Sequence, residues 1–226
     1  MTSNCDGGIL YQYSRECKGQ GFTMSQTTQP PSLHQQLRQA THAAHVRLNH
    51  HPLLSRMTRP TLDIETYTLI LQAYWSFYQT AEAHIRNCLA SGMADFNYSD
   101  RYKTEWLKQD LAHFGLTPGV DGCCPFTVEL AIPMNRPELV GMMYPLEGST
   151  LGGRVISRHL MHNLGINDAN GGRFFSGYGH NIEQLWTQFI QFAERSPQSR
   201  QERTQACDYA IYLFETLEAF LDVHVS

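Results

Sequence analysis

Residues 147–156 read EGSTLGGRVI, with Gly148, Gly152 and Gly153 set between two segments whose apolar spacing predicts helix. Each glycine inside a helix costs about 0.8–1 kcal/mol relative to alanine, and Pro145 just upstream adds roughly 3 if it is also internal. A penalty on the order of 5–6 kcal/mol implies that something needs the space a side chain would fill. Gly148 and Gly152 are four residues apart and share one helix face, with Gly153 beside them. Such a face suits either tight helix packing or close approach of another molecule to bare backbone.

Outward from this stretch, helical periodicity dominates. Leu33, Leu37, Ala40, Ala44 and Leu48 form one stripe ending near NHHP, and a longer helix is expected from Asp63 to Leu89. SDRYKTEWLKQDLAHFG predicts a shorter helix with Ser99 as N-cap and Gly115 as terminator. Pro137 is placed as the first residue of the glycine-bearing helix, which Gly165 closes. Further helices are expected over residues 182–193 and 201–223, while FTVELAIPM is an isolated strand candidate with no sheet to join. The fold class is therefore all-α, a single helical domain over residues 32–226 preceded by a polar tail, residues 1–31, with the composition of disorder. Met24 within that tail is an alternative start.

Apolar residues at 42% and charged residues at 17% describe a globular chain. A net charge of −4 and a pI near 6.2 lack the basic excess that nucleic acid demands. No run of about eighteen apolar residues predicts a membrane span. Six cysteines lack CxxC spacing, and adjacent Cys123 and Cys124 cannot easily bridge each other, so a reducing, cytoplasmic location is expected.

Eleven histidines invite a metal reading, yet HExxH is absent and His159 with His162 lacks a matching carboxylate. Helix geometry separates two others. Taking Leu37 as zero, Leu48 lies at about 20°, Thr41 at about 40°, His45 at about 80° and His42 at about 140°. His45 therefore edges the buried face, whereas His42 points to water.

LRQATHAAH in the first helix, EGSTLGG about a hundred residues later and then FFSGYG together resemble heme oxygenases, over roughly Leu33 to Leu221. The likeness is nearest to bacterial members, including those that supply bilin to bacteriophytochromes. It implies a helical bundle holding haem between the first helix and a kinked, glycine-rich distal helix. His45 maps onto the proximal iron ligand, and Gly148, Ser149, Gly152 and Gly153 onto the distal, catalytic face that leaves room for O2 and steers it towards a meso carbon. Arg38 takes the position of a propionate-binding cation, and because the later helix that adds propionate contacts in the family has no clear match here, Arg154 and Arg158 are its substitutes. Thr41 and Phe214 join the haem-binding set, and Cys207, Tyr209, Ala210, Leu213 and Leu217 supply further walls.

Two departures stand out against that family. Asn49 occupies the place where some members have a carboxylate orienting the proximal histidine, and Ser149 the place of the distal aspartate of animal members. The implied reaction converts haem, O2 and electrons from an external reductase or ferredoxin into biliverdin, CO and ferrous iron. No dinucleotide-binding glycine fingerprint is present, so the electrons need a partner protein. A haem carrier or sensor on the same fold is the rival reading. Thiamine-pyrimidine hydrolysis or di-iron oxidation would need nucleophiles or carboxylate clusters that the sequence does not place.

Overall fold

The computed structural model describes residues 31–120, 122–195 and 199–224, with His224 as backbone only. The polar tail and Met24 lie outside the described residues. Among the described residues seven α-helices follow in order: α1 (Leu33–His50), α2 (Ile64–Ala90), α3 (Thr104–His113), α4 (Arg136–Leu164), α5 (Arg173–Ser176), α6 (Ile182–Glu194) and α7 (Arg200–His224). Among the described residues there is no strand, and the all-α expectation holds.

Local signals set the helix ends. Ser32 and Gln35 form a reciprocal capping box on α1. Asn135 caps α4 by accepting from the Glu138 N–H, which puts Pro137 one position later than expected, and Gly165 ends that helix at φ 69°. The start of α3 differs more. Ser99 opens only a short 3-10 turn, because the Glu82 carboxylate of α2 accepts from the backbone N–H of Lys103 (2.5 Å) and Thr104 (3.1 Å) and so caps α3 from another helix.

FTVELAIPM forms no strand because its backbone groups are taken by helices. Tyr212 Oη accepts from the Ala131 N–H at 2.9 Å, Tyr209 Oη donates to the Ala131 carbonyl, and His84 Nε2 lies 3.2 Å from the Leu130 carbonyl.

The core gathers apolar faces of all the long helices, with Leu37, Tyr67, Ile70, Phe77, Met143 and Leu213 among its buried members. α7 packs on both α4 and α1. The α4–α7 crossing is close because a Cβ at Gly141 would strike the Ala206 carbonyl and lie 2.9 Å from Tyr209 Cβ. Gly141 is also four residues before Pro145, whose ring nitrogen cannot donate to the Gly141 carbonyl.

Candidate functional site

Helix α1 turns Leu37, Thr41, Ala44 and Leu48 inward, leaves His45 half-buried at the edge and exposes His42, as the helical angles require. The His45 ring meets Phe214 of α7 edge-on, with centroids 5.7 Å apart. Burial, aided by nearby His42, holds the His45 pKa below its ordinary 6.5, so the imidazole is neutral at pH 7. Its Nδ1 lies 3.2 Å from Asn49 Nδ2, and Nε2 has no hydrogen-bond partner among the described residues. Turning the Asn49 amide end over end lets Oδ1 accept from Nδ1–H, which leaves the Nε2 lone pair free for a metal.

Helix α4 distributes its glycines between two tasks. A Cβ at Gly152 would meet nothing within 4 Å, and one at Gly148 only the rim of Trp186 at 3.8 Å. These two leave a strip of uncovered backbone. Gly153 faces elsewhere: a Cβ there would sit 2.6 Å from the Phe175 carbonyl, so its missing side chain admits the chain segment behind the helix. Ser149 Oγ donates to the Leu146 carbonyl at 2.8 Å and accepts from buried Tyr78 at 2.9 Å.

Tyr144 of α4 links the two helices, and burial pushes its hydroxyl up to about 12 despite Arg38 nearby and a hydrogen bond with Thr41 of α1. Thr41 is buried, and its hydroxyl donates to the Leu37 carbonyl at 2.7 Å. His34 packs against Trp186 (centroids 5.6 Å apart) and Tyr144 (6.3 Å), which joins the start of α1 to the neighbourhood of Gly148. Arg38 is exposed, with no ion-pair partner among the described residues. Arg154 lies 3.5 Å from Glu183, and Arg158 donates to the Arg154 carbonyl. Along α7, Cys207, Tyr209, Ala210 and Leu213 are buried, while Phe214 and Leu217 are half-buried.

The sequence reading missed a buried polar cluster behind the glycine strip. Glu147, 1% exposed, accepts from Arg101 Nη1 at 2.6 Å and from Lys103 Nζ at 2.9 Å, and Tyr178 Oη donates to it at 2.9 Å. Burial pushes the Glu147 carboxyl up, but Lys103 and Arg101 outweigh it and hold the group below the ordinary value. One signal was available: Glu147 falls on the buried stripe of Met143, Leu146 and Thr150, where a lone charge demands a partner.

Among the described residues no three His, Cys, Asp or Glu side chains gather to hold a metal ion. No helix among them is long and apolar enough to cross a membrane. What the helices do offer is one neutral imidazole and a strip of bare backbone, within a core built from α-helices alone.

The heme oxygenase family matches residues 31–222, and the chain belongs to that family of haem-degrading enzymes. Solved structures repeat the fold at low identity. The NO- and CO-bound heme oxygenase of Neisseria meningitidis superposes with a TM-score of 0.68 at 18% identity, covering 85% of this chain and 92% of that one. The heme oxygenase of Leptospira interrogans gives 0.67 at 15% identity, with 85% and 100% covered. Heme oxygenase-1 of Synechocystis sp. PCC6803, solved with heme, gives 0.65 at 13%, with 85% and 92% covered. No curated protein sequence matches the chain.

Proposed function

We propose that this enzyme cleaves haem to biliverdin, CO and ferrous iron between α1 and α4, using O2 and electrons from an external reductase or ferredoxin. Two observations taken together carry the reading: a neutral, half-buried His45 on α1, and on α4 a glycine backbone left open at Gly152 with only the rim of Trp186 near Gly148. A Cβ at Gly152 would project into open space, so the bare backbone there leaves room for a flat macrocycle to approach. Haem, as substrate, supplies both the iron that takes O2 and the ring that is oxidised.

Each residue then has a defined task. His45 offers Nε2 as metal ligand, and the Asn49 amide sets the ring's orientation and tautomer. Gly148 and Gly152 let the distal backbone approach closely while keeping side chains off the reacting edge. Ser149 stands in for a carboxylate in holding water. Its own proton goes to Leu146 and one lone pair to Tyr78, so the remaining lone pair accepts from a water and orients it. Arg38, free of ion pairs among the described residues, offers a planar fork to a propionate. Phe214 closes the proximal side against His45. A cytoplasmic location and delivery of biliverdin to a bacteriophytochrome complete the reading.

The test is spectral. Purified protein receives hemin, then ascorbate or a ferredoxin system in air. Loss of the Soret band with growth of a biliverdin band is the expected result, and a persistent haem complex would instead establish a carrier or sensor.

A further inference from the structure

FFSGYG, residues 174–179, and the buried cluster around Glu147 act on the same stretch of α4. The Phe175 carbonyl fills the space left by Gly153. Gly177, at φ +57°, brings its backbone to Thr150, where a Cβ would lie 3.4 Å from Thr150 Cβ. Tyr178 Oη accepts from Lys103 Nζ at 3.0 Å and donates to Glu147. One segment therefore grips α4 from behind at Glu147, Thr150 and Gly153, which bracket Gly148 and Gly152.

The grip is itself anchored. Asp110 of α3 accepts from the backbone N–H groups of Arg173 and Phe174, both at 2.8 Å. Arg101 continues from Glu147 to the Leu185 carbonyl and Gln188 of α6, and Lys103 also donates to the Arg101 carbonyl at 3.2 Å.

We infer that Glu147 and Tyr178 are positioning residues for haem degradation: the Arg101–Lys103–Tyr178 clamp on Glu147 fixes how deeply the Gly148–Gly152 backbone sits over the substrate. This rests on the reading above that the glycine strip faces haem. A buried ion cluster adds little stability over an apolar replacement but specifies geometry, and here it specifies the residue immediately before Gly148. Misplacement by about 1 Å is enough to change which reacting atoms meet.

The experiment compares wild type with Tyr178→Phe, which removes one hydroxyl while the ring keeps its place beside Trp106, 5.5 Å away between centroids. Glu147→Gln is the stronger variant, and Tyr178→Phe decides alone if that one fails to fold. Two quantities are read: amide hydrogen exchange of residues 148–153 in the haem-free protein, and the ratio of biliverdin isomers. In Tyr178→Phe, exchange in that segment rises roughly tenfold with the rest of the chain unchanged, and the isomer ratio shifts by about threefold or more. A folded variant whose isomer ratio equals that of wild type overturns the inference, whether or not its exchange has changed. Wild type yielding no biliverdin overturns the proposed function itself and the inference with it, whereas an active wild type with unaltered variants overturns only the inference.

Discussion

Gly152 and Gly153 adjoin in sequence and face opposite environments: a Cβ on the first meets nothing within 4 Å, and one on the second lies 2.6 Å from the Phe175 carbonyl. Alanine at the two positions therefore has opposite effects. Gly152→Ala gains about 0.8–1 kcal/mol of stability from helix propensity, retains ferric haem and degrades it poorly because the methyl intrudes on the reacting edge. Gly153→Ala loses about 1–3 kcal/mol, since a backbone carbonyl cannot yield as a side chain could. Urea denaturation with biliverdin yield separates them, and normal yield from Gly152→Ala would sink the steric role.

His45→Ala is expected to fold, because alanine is the better helix former, and to lose the proximal ligand and turnover, with added imidazole restoring ligation. His42→Ala leaves the haem spectrum unchanged. Since burial lowers the His45 pKa, the imidazole stays neutral as pH falls through 6.5, so ligation persists below the pH at which free imidazole protonates. The reverse pattern between the two histidine variants would refute the assignment.

Arg38→Glu places a like charge against a propionate, and Arg38→Lys keeps a cation without the planar fork. Haem affinity is expected to fall in the order wild type, lysine, glutamate, with the isomer ratio changed most in the glutamate variant. Equal values in all three would make Arg38 an ordinary surface residue.

Asp110 supplies a pH dependence whose sign is fixed. Burial pushes its carboxyl up to about 6 from an ordinary 3.8, although the Phe174 and Arg173 N–H groups pull it down. Between those values the folded state holds more protons than the unfolded one, so this group adds stability as pH falls through the window and removes it as pH rises. Asp110→Asn cannot titrate and leaves one of two N–H groups unpaired, a cost of about 1–3 kcal/mol. The stability gap between wild type and Asp110→Asn should widen from pH 6 towards 3.8; a constant gap would refute the raised value.

Apolar periodicity made most of the helices legible, and Gly165 marked the end of α4 because a left-handed cap acts on the helix it directly follows. The start of α3 was not legible, since its cap is the Glu82 carboxylate of another helix. FTVELAIPM has strand-like composition, but its hydrogen bonds end on tyrosines of α7. At the site, helix angles separate His45 from His42. Which of Gly152 and Gly153 meets open space depends on where Phe175 lies, information carried some twenty residues downstream. The cluster of Arg101, Lys103, Glu147 and Tyr178 draws on three separate stretches of chain, and only the charge on a buried stripe betrays it.

The helix carrying His45 is joined to α6 and α7, far along the chain. Arg47 donates to Glu218 at 3.0 Å, and buried His51 reaches Asp222 at 3.1 Å, both pairs 171 residues apart in sequence. Glu194 accepts from the Leu33 and His34 N–H groups at the start of α1. During synthesis α1 emerges well before the helices α6 and α7 that seat it. A nascent chain arrested before α7 has its histidine but no Phe214 beside it and no seat for α1. On the proposed reading of His45, a chain made only as far as α6 therefore lacks the surface that would close the proximal side of haem.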